Sequence, residues 1–499
     1  MKNLIIILIE LAAVFFMVFN ILPRELSFFI TGLLIFYFIF SPLEDSLWVF
    51  VASIPLFVAL PITESFDSMA NWRILLAILF LVMFFKSGIS VKHYYRAEYL
   101  TGIFLLIGCL SLLIADDVCV GVKKLLFIIN IFLLYIIIRN LAAKNKKIIF
   151  KIIGAIKVAI GLTLGIGFLQ LIMVFFINLH QFWHLWDRNV INVFYGQNLS
   201  NLLSYSNTWF SYYSYQLPTL RMFSVFPDSH SFAFFCILAL PFFLMAIFLN
   251  PREKKGRTTL FYFLLVLCLL AVIFSGSRGA WLSAIGVFLL FLFFGFLNNW
   301  KKQIQLILGC LIIFFFLLPI ASAILFLPQY IQSGQEAISG VSLFERARSV
   351  IDFTEISTKS RLEIWQRTSD SIIKHPLLGV GIGNYPLILN EPLSSAKKGA
   401  SAHNLYLDFA SEMGIFALLI LLAIFWYIFK DAWQIFSQHK KLFFRAWAGF
   451  FLLALIWILG YSLFDVVLLN DKVFLFFVAS LGLLYAAKSS FSFHKSSYL

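Results

Sequence analysis

Charged residues are scarce in this chain, and their scarcity decides its class. Asp, Glu, Lys and Arg make up 12% of the 499 residues, against about 25% in an average soluble domain. Hydrophobic residues make up 62%, and the mean hydropathy is +0.94. This composition excludes a soluble enzyme, a disordered tail and a nucleic-acid-binding module. We therefore expect an all-α polytopic membrane protein, built as a bundle of transmembrane helices.

Cysteines and metal-binding patterns are also sparse. The chain has five cysteines, and none of them shows the spacing of a zinc site or of a disulfide framework. The predicted outer loops contain no Asp-rich metal motif, so we expect no metal and no other cofactor. The net charge of +14 does not require a nucleic-acid partner, because cytoplasmic loops of membrane proteins collect Lys and Arg.

Long apolar runs set the number of predicted spans, because a helix needs about 20 apolar residues to cross the hydrocarbon core. We predict fourteen spans, or twelve if the two short early runs do not cross. The fourteen lie at residues 4–22, 27–43, 46–61, 73–90, 99–115, 125–142, 152–178, 231–249, 258–275, 278–298, 303–327, 403–429, 444–465 and 472–487. Every cluster of Lys and Arg follows an even-numbered span. We therefore expect both termini in the cytoplasm and the odd-numbered loops on the periplasmic side of a bacterial inner membrane.

These spans divide the chain into five predicted regions. They are N-terminal transmembrane helices at 1–178, a periplasmic loop at 179–230, transmembrane helices with an Arg278 hairpin at 231–327, a large helical periplasmic loop at 328–402, and C-terminal transmembrane helices with a cytoplasmic tail at 403–499.

Polar residues gather at the outer ends of the predicted helices, in the segments 220–230, 275–281, 360–365 and 401–404. A membrane transporter, the competing class, would need such groups near the bilayer midplane. In the second of these segments, Arg278 lies in a tight hairpin between two apolar spans. That position is costly unless the guanidinium meets an anion, and from this segment alone a snorkelling or headgroup-binding arginine is the alternative.

The third segment predicts the start of a helix in the large loop. Ser360 and Glu363 have the spacing of a capping box, which would place Arg361 on the first helical turn. The free N–H groups of a first turn favour an anion, so Arg361 is a second candidate anion ligand. The glycine run at 379–383 predicts a turn at a helix end rather than a nucleotide-binding loop.

The fourth segment opens a span that carries a polar stripe. At 100° per residue, one face of this helix collects Ser401, Asn404, Asp408, Ser411 and Glu412. Such a stripe must face protein or a water-filled cavity. His403 lies at its outer end, and imidazole titrates near neutrality, which makes it a candidate general base. From the sequence alone, a helix cap or a surface residue is the alternative.

Three sets of residues together resemble a known family. They are Ser277-Arg278-Gly279; then Arg361-x-x-x-Trp365 leading to His375-Pro376-Leu377-Leu378-Gly379-Val380-Gly381; then His403-Asn404-x-x-Leu407 with Glu412-x-Gly414. In this order, and with a long outer loop before the histidine, they resemble the O-antigen ligase and O-antigen polymerase superfamily of bacterial inner-membrane glycosyltransferases.

The resemblance implies a metal-independent transfer of a glycan from undecaprenyl pyrophosphate to a hydroxyl on the periplasmic side. It implies that His403 is catalytic and that Arg221, Arg278 and Arg361 bind the pyrophosphate, supported by Asn404, Asp408 and Glu412. The segment after Arg221 departs from the family pattern, because Asp228-Ser229-His230 stands where a Pro-Asn pair is expected.

The sequence does not distinguish between three possible acceptors of the glycan. A ligase would transfer the glycan to lipid A–core oligosaccharide, and a polymerase would transfer it to the end of another lipid-linked repeat. A protein O-oligosaccharyltransferase of the same superfamily would use a hydroxyl of a pilin. The expected partners are therefore the lipid-linked donor, a glycan or lipid A–core acceptor, and membrane lipids.

Overall fold

The computed structural model describes residues 2–64, 66–89, 94–203, 208–211, 218–249, 255–297, 301–333, 356–391 and 400–492. The α-helices run α1 Lys2–Val18, α2 Leu26–Phe40, α3 Leu43–Ala52, α4 Trp72–Ser87, α5 Arg96–Ser111, α6 Val118–Lys144, α7 Lys147–Met173, α8 Leu179–Leu185, α9 Asn192–Tyr195, α10 Gln197–Leu203, α11 Ser229–Leu249, α12 Lys255–Phe274, α13 Arg278–Leu297, α14 Lys301–Ser333, α15 Ile356–Lys374, α16 Leu405–Gln438, α17 Leu442–Tyr461 and α18 Asp471–Ser492. Two small antiparallel hairpins pair β1 Ala59–Leu60 with β2 Met69–Ala70, and β3 Phe210–Ser211 with β4 Thr219–Leu220.

The all-α polytopic architecture predicted from the sequence is confirmed. Each predicted span overlaps one of these helices. The described residues contain seven helices long and apolar enough to cross a membrane, at Arg96–Ile114, Val118–Lys144, Lys147–Met173, Ser229–Leu249, Leu405–Gln438, Leu442–Tyr461 and Asp471–Ser489. Shorter apolar helices lie between them. Much of the predicted loop 328–402 lies outside the described residues.

The third predicted span, 46–61, is wrong as a continuous helix. α3 ends at Ala52 and is followed by a 3₁₀ turn, Ile54–Leu56, and then by β1. Ten residues make a helix about 15 Å long, about half the thickness of the hydrocarbon core. The α-helix ends here because Pro55 has no N–H to donate and its ring clashes with the preceding turn.

One end of the bundle is rich in lysine. Lys151 at the start of α7 lies 2.8 Å from the Glu44 carboxylate in α3. Lys86 at the end of α4 donates to the Ser41 carbonyl, 3.4 Å away, in the turn between α2 and α3. The turns that follow predicted spans two, four and six therefore meet at the same end.

The opposite end collects the loops that the sequence assigned to the outer side. The N–H of Met222 donates to the Phe274 carbonyl, and the N–H of Leu405 donates to the Ser462 carbonyl, both at 2.9 Å. The first bond joins the segment before α11 to the end of α12, and the second joins the start of α16 to the residue after α17. Segments distant in sequence thus meet at this end.

The glycine-containing turn after α15 packs into a break in α16. Gly414 has φ +84° and interrupts α16, which frees backbone groups there. The N–H of Val380 donates to the Ser411 carbonyl, and the N–H of Ile415 donates to the Pro376 carbonyl, both at 2.9 Å. Positive φ angles occur in this loop at Gly379, Gly381 and Gly383. The predicted turn is therefore a loop fixed against the helix that begins after His403.

Candidate functional site

Arg221 and the Arg278 hairpin lie side by side. The Arg221 N–H donates to the Trp209 carbonyl at 2.9 Å, and its Nε donates to Ser211 Oγ at 2.8 Å. The aliphatic part of the Arg221 side chain packs over Gly276, where a Cβ would lie 3.3 Å from Arg221 Cγ. Gly276 has φ +64°, so a residue without a side chain both makes the turn and admits the arginine. Two arginines from different predicted loops therefore meet at one turn.

A histidine cluster lies beside this hairpin. His230 Nδ1 is 2.8 Å from the Tyr461 hydroxyl and 3.0 Å from Ser277 Oγ, and the two hydroxyls also bond to each other. The carboxylate of Asp465 lies 4.0 Å from the same nitrogen. We call His230, Ser277, Tyr461 and Asp465 the His230 cluster. Arg278 adjoins it directly, because its chain neighbour Ser277 belongs to it.

The charged residues predicted from the sequence lie within electrostatic range of the His230 cluster. Arg221, Arg361 and His403 all act electrostatically on the His230 ring, as does Asp465 within the cluster. Arg361 also acts on the Tyr461 hydroxyl. The structure therefore brings together residues from four separate segments, the same four in which the sequence concentrates polar groups.

His403 lies next to this cluster through its backbone. Leu405, two residues later, is hydrogen-bonded to Ser462, which follows Tyr461. The His403 backbone has φ +46°, a left-handed conformation in which histidine is one of the more tolerated residues. Its Nδ1 is buried and has no hydrogen-bond partner among the described residues. The ring is thus positioned by the chain on either side of it.

The prediction that Ser360 caps the start of a helix is wrong. α15 begins at Ile356, so Arg361 is its sixth residue and lies beyond the free N–H groups of the first turn. A capping pattern is a local signal. Here the helix already begins at Ile356 and continues through Ser360 and Glu363. Arg361 reaches the site by its helix face instead. Trp365, one turn later on that face, donates from Nε1 to the Ala402 carbonyl at 2.9 Å.

The polar stripe of α16 is buried along its whole length, with Ser401, Asn404, Asp408, Ser411 and Glu412 all at most 8% exposed. Asn404 caps the helix, accepting from the N–H groups of Tyr406 at 3.0 Å and Leu407 at 3.2 Å. Asp408 Oδ1 accepts from the Ala402 N–H at 3.1 Å. Asn404 and Asp408 therefore shape the loop that carries His403.

Lys124 of α6 completes the stripe and was missed from the sequence. Its Nζ lies 2.6 Å from Glu412 Oε2 and 3.4 Å from Asp408 Oδ2. The signal that could have found it is the pair Lys123-Lys124 at the outer boundary of an apolar span. Tyr461 and Asp465 were also missed, because single polar residues at a helix end are common. Within the described ranges, no group of three or more His, Cys, Asp or Glu side chains is arranged to hold a metal ion.

Asp228 opens α11 next to His230. Its carboxylate accepts from the Ser231 N–H at 2.6 Å and from the Ser231 hydroxyl at 2.7 Å. Burial raises the pKa of Asp228 to about 6, against the opposing effect of these two hydrogen bonds. This carboxyl therefore titrates close to neutral pH at the edge of the site.

Comparison with known proteins supports the family resemblance. Residues 263–422, about a third of the chain, match the family model described as O-antigen ligase. No curated protein matches the chain. The matched segment contains Arg278, Arg361 and His403, together with the stripe of α16. Over this segment the chain is similar to the O-antigen ligase family, which supports the resemblance to the O-antigen ligase and polymerase superfamily of glycosyltransferases, and its long apolar helices indicate a membrane protein.

Proposed function

We propose that the protein transfers a glycan from undecaprenyl pyrophosphate to a hydroxyl of lipid A–core oligosaccharide, at the periplasmic face of the bacterial inner membrane. One observation carries this proposal: Arg221 packs over Gly276 in the Arg278 hairpin, which joins the His230 cluster through Ser277, and Arg361 and His403 act electrostatically on the same cluster. Three guanidinium groups and an imidazole at the rim of a membrane bundle suit a lipid-linked diphosphate better than an uncharged substrate.

The arginines would stabilise the leaving group. As the bond between the anomeric carbon and the phosphate oxygen breaks, its electron pair passes to the pyrophosphate. Planar guanidinium groups aimed at that developing charge can stabilise it without a metal ion. We therefore propose a metal-independent transfer.

His403 would act as the general base. The acceptor hydroxyl attacks the anomeric carbon and must lose its proton as the new bond forms, and a neutral imidazole can accept that proton. The acceptor that distinguishes a ligase from a polymerase must reach His403 from the outer side, where the loop 400–404 ends the large periplasmic region.

An apolar cavity supports a lipid-linked donor. A cavity of about 310 Å³ lies between α5, α6, α16 and α18, and apart from Glu98 and Thr101 its lining residues are apolar or aromatic. Leu405 lines it, two residues from His403, and Tyr94 and Tyr485 line it as well. A polyprenyl chain needs such a path from the site into the membrane interior.

The experiment is transfer from a lipid-linked donor by the purified protein in proteoliposomes. Arg278→Lys keeps the charge and loses the planar fork, so we expect transfer to fall roughly 10- to 100-fold. His403→Ala should lose on the order of 10²–10⁴ in rate while the protein still binds the donor. Arg367→Lys, on the exposed face of α15, is the matched control and should transfer like the wild type.

Two additions test the finer claims. Transfer in EDTA should equal transfer without it, and its loss would refute the metal-independent mechanism. Offering lipid A–core oligosaccharide and a second lipid-linked repeat in parallel identifies the acceptor. Elongation of the repeat alone would replace the ligase with a polymerase, and normal transfer by Arg278→Lys would refute the role of the guanidinium fork.

A further inference from the structure

Lys124 is held between two buried carboxylates that belong to another helix. The carboxylate side chains of Glu412 and Asp408 are 2% and 4% exposed, and Lys124 is 22% exposed. The three groups join α6 to α16. Since Asp408 and Glu412 are one helical turn apart, a single ammonium group reaches both.

This arrangement is sensitive to the loss of its lysine. Carboxylates removed from water are costly unless a cation and hydrogen bonds compensate them. Without Lys124, Asp408 and Glu412 would face each other at short range with no cation in contact. One of them would have to take up a proton or move towards water, and Asp408 would lose the cation that holds its carboxylate.

Asp408 connects this ion triad to the candidate base. Its Oδ1 accepts from the Ala402 N–H at 3.1 Å, one residue before His403. The Ala402 carbonyl in turn accepts from Trp365 Nε1 at 2.9 Å, on the helix face that carries Arg361. The loop 401–404 is therefore held by one hydrogen bond to α16 and by another to α15.

We propose that Lys124 is a positioning residue, which holds Asp408 so that the loop 401–404 presents His403 to the acceptor. It acts through Asp408 and Ala402 and does not touch the substrate. The proposal rests on the assignment of His403 as the base. Lys124 itself lies outside the segment 263–422 that matches the family model.

The first test compares two neighbouring lysines. Lys124→Met should lower kcat roughly 10- to 100-fold with little change in KM for the donor, because a base displaced by about 1 Å costs on the order of 10²-fold. Lys123→Met removes the same charge from the adjacent, exposed position and should leave both parameters unchanged. Equal kcat values in the two variants would overturn the proposal.

The second test restores the geometry without the charge. In the triple variant Lys124→Met, Asp408→Asn, Glu412→Gln, none of the three positions carries a charge. The amide oxygen that replaces the Asp408 carboxylate oxygen can still accept a hydrogen bond from the Ala402 N–H. We expect it to recover most of the kcat lost in Lys124→Met. If the triple variant stays as slow as Lys124→Met, the unpaired carboxylates do not explain the loss and the positioning role is wrong.

A measurement independent of activity separates this proposal from the proposed function. Hydrogen–deuterium exchange of the segment 400–408 should be faster in Lys124→Met than in wild type, and unchanged in Lys123→Met and in the triple variant. That result supports the positioning of the loop 401–404 by Lys124 even if the wild-type protein transfers nothing from the lipid-linked donor. Wild-type exchange in Lys124→Met would refute this positioning whatever the activity.

Discussion

Two imidazoles share the candidate site, and their ring nitrogens are satisfied differently. His230 Nδ1 is engaged by two hydroxyls and faces Asp465. His403 Nδ1 is buried without a partner among the described residues. A buried nitrogen without a partner is costly and is retained where function needs it. This difference supports the proposed role of His403 in proton transfer, while the His230 cluster is a fixed polar support between α11, α13 and α17.

The first prediction concerns the Tyr461 hydroxyl. Tyr461→Phe leaves His230 and Ser277 without a shared partner, so we expect a loss of about 1–3 kcal/mol in unfolding free energy. Transfer per folded molecule should also fall, because His230 lies near the arginines that we propose to bind the donor. The measurements are the thermal midpoint in detergent and the transfer rate of the folded fraction.

Tyr195→Phe is the matched control for this substitution. The Tyr195 hydroxyl donates to the Val225 carbonyl at 3.1 Å and is also buried, but it does not contact His230. Its loss should lower the thermal midpoint by a similar amount and leave transfer by the folded fraction unchanged. Equal transfer by the two variants would contradict a role for the His230 cluster in the reaction.

The second prediction concerns Asp228 and pH. Burial raises the pKa of this carboxyl from 3.8 to about 6, so the folded protein binds the proton more tightly than the unfolded chain. The stability that comes from this proton is complete below pH 3.8 and is lost as the pH rises to about 6. The thermal midpoint of Asp228→Asn relative to wild type should therefore increase between pH 4 and pH 6 and then level off. Parallel pH profiles would show that Asp228 has an ordinary pKa.

At the scale of elements, a break in α16 receives the loop that follows α15. The break depends on Gly414, because a Cβ there would lie 2.1 Å from the Leu377 carbonyl oxygen and the backbone has φ +84°. Only glycine avoids both the clash and the strain. The loop then lies against α16 within one turn of Asp408 and Glu412. α16 and the loop after α15 therefore form one structural unit next to the segment that carries His403.

The third prediction follows from this packing. Gly414→Ala should destabilise the protein by more than the roughly 1–2 kcal/mol of left-handed backbone strain, because the Leu377 backbone must also move. Gly161→Ala on α7 is the control, since a Cβ there meets nothing within 4 Å, and it should be neutral or stabilising by up to about 1 kcal/mol. Thermal midpoints in detergent measure both. A Gly414→Ala protein as stable as wild type would mean that the break does not need glycine.

At the scale of the whole molecule, the two ends of the bundle differ in chemistry. One end carries lysines on the turns after the even-numbered spans, as in the pairing of Lys151 with Glu44. The other carries the arginines and histidines of the candidate site. The proposed transfer from an outer-leaflet donor predicts this polarity, with the lysine-rich end in the cytoplasm.

The fourth prediction tests this orientation. A reporter fused after Gly340 should be active in the periplasm, and one fused after Gly256 should be active in the cytoplasm. Paired fusions to alkaline phosphatase and to a fluorescent protein give opposite signals on the two sides. Signals from the same side for both positions would require an odd change in the number of spans between them.

The sequence by itself determined the membrane class, the positions of the helices and the four polar segments of the candidate site. Hydropathy is a property of each run of residues, so apolar helices are visible without knowledge of their neighbours. Local sequence patterns predicted the ends of helices less reliably, because neighbouring residues can end a helix early or extend it. Pro55 shortened the third span, and α15 extended through the capping pattern at Ser360.

Only the tertiary structure decided which polar groups share a site. Lys124 meets Glu412 across 288 residues, and His230 meets Tyr461 across 231 residues. The order in which helices pack beside one another brings these partners together, and every apolar helix face offers lipid and protein nearly the same contacts. Polar side chains buried among such helices can be satisfied only by one another, so their pairing is decided when the bundle assembles.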